Sequence, residues 1–275
     1  MTITIADFDY IRKLVYDRTG VFLSEDKMYL VESRLGIVAK EAGANSVSGL
    51  VAELKKMKQQ RLNPLDESII EAMMTNETFF FRDVKPFDVL KTSVLPELLK
   101  QLEAEATLNI WCAACSSGQE PYSIAILLRE YFPKLPRMRV KIIGSDISTA
   151  MLKRAISGCY AQHEVVRGLP TTLLHRYFQH CGKEWQIKED IRCAIDFRQI
   201  NLTESFASVP QMDIIFMRNV LIYFDVRTKQ SILEKVRRVL RPKGYLFLGG
   251  GETTVNLDPA FELVQFETGV CYRLI

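Results

Sequence analysis

The first 75 residues carry hydrophobic side chains at the three- and four-residue spacing of amphipathic helices. One such series stops before Gly20 and comprises Phe8, Ile11, Leu14 and Val15. Three further helices are predicted: from a capping Ser24 to about Gly43, over residues 47–57, and from Asn63–Pro64 to Met74. Because no alternating strand pattern interrupts these series, residues 1–75 are predicted to form a helical domain.

Strand-like apolar runs alternate with helical segments from about residue 93 to the end of the sequence. The strand candidates are 107–113, 138–146, 193–200, 212–218 and 244–250, and the helices among them are predicted over 120–132, 148–157 and 226–240. Two last runs, 261–267 and 269–275, predict a hairpin. Such alternation is typical of an α/β fold, a parallel sheet with helices on both faces, here closed by an antiparallel edge.

One stretch, between Tyr160 and Ile195, departs from this alternation. It is predicted to contain a helical piece at 170–178 and short strands at 177–181, 184–188 and 191–195, with turns at Gly182–Lys183 and Glu189–Asp190. We interpret it as a small antiparallel β insertion at about 160–195, whose open edge is a candidate docking site.

The composition is that of an ordinary globular chain, with 48% hydrophobic and 25% charged residues. A net charge of +3 gives no strong electrostatic attraction to nucleic acid. We therefore expect no nucleic-acid partner, no direct membrane insertion and a monomer. Without a signal-peptide pattern, a cytoplasmic location is expected, where the six cysteines would stay reduced. Three histidines and one Cys-x-x-Cys pair are too few for a structural zinc site, so no metal is predicted.

Small residues follow the first strand candidate, in the sequence A-A-C-S-S-G from Ala113 to Gly118. Ligands of open parallel sheets bind beyond the carboxyl ends of the strands, and a small-residue turn lets them approach the backbone. The next strand candidate ends at Asp146, whose carboxylate can accept both hydroxyls of a ribose. Without G-x-G-x-x-G or Gly-Lys-Ser/Thr, a pyrophosphate fits poorly. A ligand with a ribose and an amino group fits better, which points towards S-adenosylmethionine.

The same stretch contains Cys112 and Cys115 at the spacing of a dithiol redox site. Such a site requires a thiol with a depressed pKa, normally at a helix N-terminus, and Cys115 could meet this condition. Alternatively, both cysteines are small residues of the core. We favour this second interpretation, because the surrounding layout differs from that of thioredoxin-like proteins.

Several motifs together carry a resemblance to a known family. They are N-E-T-F-F-F-R-D from Asn76, C-S-S-G-Q-E-P-Y-S from Cys115, S-D-I-S from Ser145, F-R-Q-I-N-L from Phe197 and F-M-R-N-V-L-I-Y-F-D from Phe216. In this order they resemble the chemotaxis receptor methyltransferases, the CheR family, over essentially the whole chain. The resemblance implies a Rossmann-like class I S-adenosylmethionine-dependent methyltransferase sheet in residues 93–275. It also implies that a linker over 76–92 contributes to the cofactor site.

The resemblance further implies roles for individual residues. Arg82 would orient the substrate carboxylate, and Tyr223 would hydrogen-bond at the reacting centre. Glu120 would meet the methionyl ammonium group, with Gln119 as the alternative, and Asp146 would bind the ribose, although Asp146 alone could equally cap the following helix. The positions that resemble cofactor-binding residues of the family are Asn76, Thr78, Arg82, Ala113, Gly118, Glu120, Asp146, Ile147, Asn201, Leu202, Arg218 and Asn219.

The implied reaction is methyl transfer from S-adenosylmethionine to glutamate side chains on the cytoplasmic helices of chemoreceptors, which forms methyl esters in chemotactic adaptation. A glutamate with a pKa of about 4.3 is already ionised at neutral pH, so the reaction needs no general base. Lys27, Arg34 and Lys40 on one helix are candidates for a basic receptor-facing surface. Some members of the family also bind a receptor C-terminal peptide along the insertion, and the sequence leaves open whether this chain does.

Two other functions stay open at this point. One is a cofactor-binding module that acts by docking to other proteins without turnover. The other is a methyltransferase for a different substrate. Methylation of the amino groups of nucleic-acid bases is disfavoured, because the Asn/Asp-Pro-Pro-aromatic motif usual after the fourth strand is replaced by M-R-N-V-L-I-Y-F.

Overall fold

The computed structural model describes most of the chain, namely residues 3–57, 64–101, 107–135 and 140–275. The chain divides into two compact units. The first comprises Met1–Thr75 and Tyr223–Thr228, and the second comprises Asn76–Ile222 and Lys229–Ile275. Within the described ranges, no helix is both long enough and apolar enough to cross a membrane.

The first unit is helical, and its described part has four α-helices around one apolar core. Their bounds are α1 Ile5–Thr19, α2 Met28–Glu41, α3 Val47–Met57 and α4 Pro64–Met73. Gly20 ends α1 in the left-handed conformation, at φ 73°, and its N–H donates to the carbonyl oxygen of Tyr16. These bounds agree with the hydrophobic spacing. Asn63, the predicted cap of α4, lies outside the described residues.

Two side chains of the helical unit differ from expectation. Ser24 does not cap α2, because a short 3₁₀ helix at Glu25–Lys27 precedes that helix, and the Ser24 hydroxyl donates to the Asp26 carboxylate. Arg34 was a candidate for a receptor-facing basic surface. Its guanidinium instead donates to the carbonyl oxygen of Met73 at 2.7 Å, which ties α2 to the end of α4.

A continuous helical segment from Lys85 to Gln101 was not predicted from the sequence. It consists of α5 Lys85–Val89, a π-helical turn at Leu90–Val94 and α6 Leu95–Gln101. Pro96 has no N–H, so it cannot donate a hydrogen bond to a carbonyl oxygen one turn earlier in the helix. The π-helical turn just before it accommodates this missing hydrogen bond. Because Thr92, Ser93 and Pro96 are poor helix formers, the pattern here gave no helix signal.

The second unit contains the β-strands of the fold. In chain order they are β1 Leu108–Ala113, β2 Val140–Asp146, β3 Cys159–Ala161, β4 Phe178–Cys181, β5 Glu184–Ile187, β6 Ile195–Gln199, β7 Met212–Met217, β8 Leu240–Leu248, β9 Phe261–Phe266 and β10 Gly269–Leu274. The remaining helices are α7 Gln119–Tyr131, α8 Thr149–Ser157, α9 Gln162–Val166, α10 Thr171–Tyr177, α11 Glu189–Arg192 and α12 Val226–Val239.

Seven strands form one sheet in the order β6-β2-β1-β7-β8-β10-β9. The first five are parallel to their neighbours, whereas β10 pairs antiparallel with both β8 and β9. The predicted Rossmann-like sheet with an antiparallel edge is confirmed. Strand order reverses between β1 and β7, and the carboxyl ends of these two strands are where such a sheet binds its ligand.

The β insertion is a separate three-stranded sheet in the order β3-β5-β4, in which β5 pairs antiparallel with both neighbours. The predicted turn at Gly182–Lys183 joins β4 to β5. The third strand was predicted wrongly at 191–195, because it lies at Cys159–Ala161. Gly158 ends α8 at a φ of 62° and directs the chain into this strand, which is too short to have an alternating pattern.

Residues 189–195 have a different structure from the prediction. Glu189–Asp190 is the start of the short helix α11 and not a turn, and Ile191 on this helix is buried. Ile195 pairs with Ile142 and so belongs to the large sheet. The apolar spacing that resembled a strand reflects one turn of helix followed by the first residue of β6.

Candidate active site

The turn after β1 has a backbone that few side chains tolerate. Ala114, Ser116 and Gly118 all have positive φ, at 57°, 50° and 94°. Hydrogen bonds hold the turn: the N–H of Cys115 donates to the carbonyl oxygen of Ser145 at 2.8 Å, and the N–H of Gly118 donates to that of Cys115 at 3.0 Å. The turn from Ala113 to Gly118 is thus held by main-chain hydrogen bonds at the carboxyl end of the central strand, and Ala114 is its one half-buried residue, the others being buried.

Gly118 is required for packing as well as for its backbone angle. A Cβ at this position would lie 2.9 Å from the Cβ of Ala155 on α8, which is closer than such atoms approach. The missing side chain therefore makes room for a neighbouring helix. Gly118 then leads directly into α7, whose first N–H groups face the turn.

Asp146 ends β2 and is buried. Its Oδ2 accepts the N–H of Ser116 at 2.8 Å, and its Oδ1 accepts the N–H of Ser148 at 2.9 Å. Asp146 does not cap the following helix, because the N-cap of α8 is Ser148, whose hydroxyl accepts the N–H of Met151 at 3.0 Å. The expected contact of Asp146 with the ribose hydroxyls stays a prediction. Ile147, the next residue, is half-buried, and its carbonyl oxygen accepts from Gln199.

An ion-pair network joins the loops after β1 and β7, the two strands of the switch point. Arg218, whose side chain is 2% exposed, donates from Nη1 to Glu120 Oε2 at 2.9 Å and from Nη2 to Asp83 Oδ2 at 2.6 Å. Burial raises the pKa of Glu120, and the guanidinium of Arg218 opposes the rise. Gln119 is turned inward, where it accepts from the hydroxyl of Ser117. Glu120 is therefore the acidic side chain on the switch-point side of α7.

The two cysteines of the Cys-x-x-Cys pair are buried. Burial raises the pKa of both the Cys112 and Cys115 thiols well above the usual range. A redox dithiol needs a shift in the opposite direction, so the geometry opposes the redox interpretation. The negative charge of Glu120 contributes to the raised pKa of the Cys112 thiol.

The segment Asn76–Asp83 lies against the turn and α7. The carbonyl oxygen of Asn76 accepts the hydroxyl of Ser116 at 2.8 Å, and the N–H of Phe81 donates to Ser123 at 2.9 Å. Phe81 and Asp83 at its end, and Val84 just after it, have positive φ. Such strained backbone persists only where its surroundings fix it, and here Arg218 and α7 do so.

Thr78 and Arg82 are half-buried in this segment. Arg82 Nη1 donates to the carbonyl oxygen of Glu77 at 2.8 Å, and its guanidinium lies 5.5 Å from the ring centre of Phe79. The charge of Arg82 opposes the rise that burial causes in the pKa of Glu120. The expected role of Arg82 with the substrate carboxylate stays a prediction.

Asn201 and Leu202 follow β6. The Oδ1 atom of Asn201 accepts the N–H of Thr203 at 3.0 Å and so closes a local turn, while the side chain of Leu202 is buried. The carbonyl oxygen of Leu202 accepts from Lys235 at 2.5 Å. These residues lie at the same sheet edge as Asp146, since the N–H of Ile200 donates to the carbonyl oxygen of Asp146.

Two buried polar atoms at the end of β7 have no hydrogen-bond partner among the described residues: Arg218 Nε and Asn219 Oδ1. Asn219 has a φ of 58°, and Glu252 holds its N–H at 2.7 Å. Glu252 was missed by the sequence reasoning. The signal that could have found it is the run Gly249-Gly250-Gly251 just before it, at the carboxyl end of a parallel strand.

Tyr223 ends a short 3₁₀ helix, Leu221–Tyr223, and is grouped with the helical unit. Its carbonyl oxygen accepts the N–H of Phe22 at 2.9 Å. The predicted hydrogen bond of its hydroxyl at the reacting centre stays a prediction.

The arrangement in the second unit fits the chemistry of S-adenosylmethionine. Glu120 offers a buried carboxylate for an ammonium group, and Asp146, the predicted ribose-binding residue, is a second buried carboxylate at the carboxyl ends of the strands. The unpartnered Asn219 Oδ1 is an acceptor for an N–H group, and the turn at 113–118 presents backbone on which an adenosine can lie. S-adenosylmethionine has no pyrophosphate, so its site needs no phosphate-binding loop. The acidic side chains of this site agree with such a ligand.

Sequence comparisons with known proteins point the same way. Residues 76–270 match the family model described as CheR methyltransferase, SAM binding domain, and residues 6–66 match CheR methyltransferase, all-alpha domain. Chemotaxis protein methyltransferase 1 of Pseudomonas aeruginosa is 41% identical over 99% of both chains. Chemotaxis protein methyltransferase Cher2 of Pseudomonas putida is 39% identical over 97% of both. Among solved structures, a TehB-like SAM-dependent methyltransferase from Corynebacterium glutamicum has a TM-score of 0.37 at 12% identity, and the match covers 64% of this chain and 83% of that one.

Proposed function

The chain belongs to the CheR methyltransferase family, and we propose that it methylates glutamate side chains on the cytoplasmic helices of chemoreceptors. Family membership makes it an S-adenosylmethionine-dependent methyltransferase of chemotaxis. The glutamate acceptor, the methyl ester product and the receptor helices are the proposal.

The observation that carries the cofactor part of the proposal is the contact between Glu120 and Arg218 across the β1–β7 switch point. It supports a site in which an anionic carboxylate receives the ammonium end of the cofactor. When bound, S-adenosylmethionine supplies an electrophilic methyl group on its sulfonium. Around it, Asp146 would bind the ribose, and the turn at 113–118 would lie against the adenosine.

The acceptor glutamate needs no general base from the protein. A glutamate carboxylate is ionised at neutral pH and is its own nucleophile, so the side chains must orient it and exclude water. Arg82 would orient the carboxylate without holding it tightly, since the negative charge disappears as the ester forms. Tyr223 would donate a hydrogen bond at the reacting centre.

The test is transfer of a radiolabelled methyl group to membranes that contain chemoreceptors. Label on the receptor should be released by mild alkali, because esters hydrolyse where N-methyl groups do not, and it should disappear when the acceptor glutamates are replaced by alanine. Alkali-stable label would contradict the glutamate acceptor. Absence of any transfer, with binding of S-adenosylhomocysteine intact, would favour a docking module.

Two substitutions test the assigned roles. Arg82→Ala should lower transfer roughly 10²-fold by misorienting the acceptor, and Tyr223→Phe should lower it about tenfold through loss of one hydrogen bond. The affinity for S-adenosylhomocysteine, measured by calorimetry, should change much less in both. If either variant transfers methyl groups at the wild-type rate, the role assigned to that residue is wrong.

The β insertion could bind a receptor C-terminal peptide as an added strand. In the sheet order β3-β5-β4, β4 lies at one edge, and its residues Gln179, His180 and Cys181 are exposed. An exposed edge supplies backbone donors and acceptors to an extended peptide. Titration with receptor C-terminal peptides tests this part of the proposal, and the lack of binding by every peptide would refute it.

A further inference from the structure

Glu252 occupies an unusual position for an acidic side chain, because backbone N–H groups surround its carboxylate. Its Oε2 accepts from Asn219 at 2.7 Å and from Gly249 at 2.6 Å. Its Oε1 accepts from Val220 at 2.9 Å and from Ile222 at 3.3 Å. Four main-chain donors thus converge on one carboxylate, and hydrogen bonds to an ionised acceptor are about twice as strong as neutral ones.

These donors come from two neighbouring loops. Residues 219–222 follow β7, and Gly249 follows β8, the strand that pairs with β7 up to Met217 and Leu248. The N–H of Glu252 itself donates to the carbonyl oxygen of Gly249 at 3.0 Å, which closes the turn that carries the carboxylate. Glu252 therefore links the ends of two parallel strands at the edge where the cofactor binds.

The close approach depends on Gly249. A Cβ at this position would lie 2.7 Å from Asn219 Nδ2 and 2.7 Å from Glu252 Oε2. The side-chain amide of Asn219 is thus packed against the α-carbon of Gly249. The backbone of Asn219 has a φ of 58°, a conformation that asparagine tolerates better than most residues. In this arrangement Asn219 Oδ1 is buried and has no partner among the described residues.

We propose that Glu252 is a positioning residue, which holds the loop after β7 so that Asn219 Oδ1 accepts a hydrogen bond from an N–H donor of the cofactor. The donor is either the methionyl ammonium group or the adenine amino group. An unpaired buried acceptor is costly, and a bound N–H donor would remove that cost. This inference rests on the proposed placement of Asn219 at the cofactor, and it does not depend on which substrate is methylated.

The test is a double-mutant cycle read by the affinity for S-adenosylhomocysteine. Asn219→Gly removes the side chain and keeps the left-handed backbone without strain. Glu252→Gln replaces one acceptor oxygen by an amide NH₂ that faces two N–H donors. We expect Glu252→Gln to weaken binding about tenfold in the wild-type background, the loss of about one hydrogen bond, and less than about twofold beside Asn219→Gly.

Two controls separate positioning from general damage. Glu262→Gln changes a carboxylate on β9 that pairs with Arg273, and it should bind S-adenosylhomocysteine as the wild type does. If Glu252→Gln does not fold, Gly249→Ala tests the same contacts, since its methyl group would push Asn219 and Glu252 apart.

5′-Methylthioadenosine, which lacks the methionyl amino group, distinguishes the two donors. If its affinity is unchanged in Glu252→Gln, the donor is the ammonium group, and if it weakens equally, the donor is the adenine.

Equal weakening by Glu252→Gln in both backgrounds would overturn the inference, because the effect would then not pass through Asn219. Unchanged affinity in either single variant would also overturn it. These outcomes are distinct from failure of the proposed function, which would appear as normal cofactor binding by the wild type without methyl transfer to receptors.

Discussion

Replacement of Arg218 by methionine should expose how the buried charges at the switch point depend on one another. Arg218 is the counter-ion of Glu120, whose side chain is 12% exposed, and of Asp83, whose side chain is 52% exposed. Methionine has a similar length and would fill the space without charge. The change leaves the carboxylate of Glu120 buried without its ion-pair partner.

The size of the effect follows from burial. Loss of one partner of a buried ion pair costs roughly 3–5 kcal/mol, because the remaining charge is uncompensated. The Asp83 pair is half exposed and adds little to this. At roughly 2–4 °C per kcal/mol for a unit of this size, the unfolding temperature should fall on the order of 10 °C at neutral pH.

The loss of unfolding free energy in Arg218→Met should depend on pH in a defined direction. Burial already raises the pKa of Glu120 in the folded protein above its ordinary value. Between the unfolded and folded pKa values the native state binds a proton that the unfolded chain does not, so stability falls as pH rises through this window. Loss of Arg218 raises the folded pKa further and extends the window upward. The deficit of Arg218→Met relative to wild type should therefore shrink on acidification, as Glu120 becomes neutral.

Calorimetric unfolding over mildly acidic to mildly alkaline pH tests this reasoning. The double variant Arg218→Met with Glu120→Gln removes both charges and should recover much of the loss. Arg238→Met is the matched control, because Arg238 is 69% exposed and pairs with Glu234 on one helix face. It should change the free energy of unfolding by only about 0.5 kcal/mol. A deficit in Arg218→Met that is absent, or that stays constant with pH, would refute the idea that Arg218 keeps Glu120 ionised.

Two further predictions concern the turn after β1. Cys112→Ser combined with Cys115→Ser should keep methyl transfer in reducing buffer, and a complete loss of transfer with cofactor binding intact would revive a role for the thiols. Gly118→Ala should lower the free energy of unfolding by roughly 1–3 kcal/mol, through both its backbone angle and its clash with α8. Gly182 has a φ of 63° and open space around it, so Gly182→Ala measures the backbone cost alone. It should lower the free energy of unfolding by less than Gly118→Ala does, with both variants measured by denaturant titration.

The sequence was sufficient for the parts of the fold in which local pattern and tertiary packing agree. The helices α1 and α3 and the strands β1 and β7 have one buried face or are fully buried, and their residue patterns reflect this. The failures fall where an element is short or contains poor helix formers. β3 has three residues, α11 has four, and the helix through Pro96 depends on a π turn that no spacing rule predicts.

The candidate site was predictable only as far as the family motifs reach. Those motifs locate Glu120 and Arg218 separately, 98 positions apart, but no rule of spacing pairs them. Glu252 was missed because a lone acidic residue after three glycines resembles a solvated loop until the backbone donors around it are located.

Three carboxylates at the sheet edge, Asp146, Glu120 and Glu252, link neighbouring loops before any ligand arrives. Asp146 joins the loops after β1 and β2, and Glu252 joins those after β7 and β8. The ion pair of Glu120 with Arg218 then connects these two halves across the switch point. Four adjacent strands, β2-β1-β7-β8, are thus linked in sequence at their carboxyl ends. Because catalysis of methyl transfer depends on alignment more than on proton transfer, a preorganised edge of this kind matches what the reaction requires.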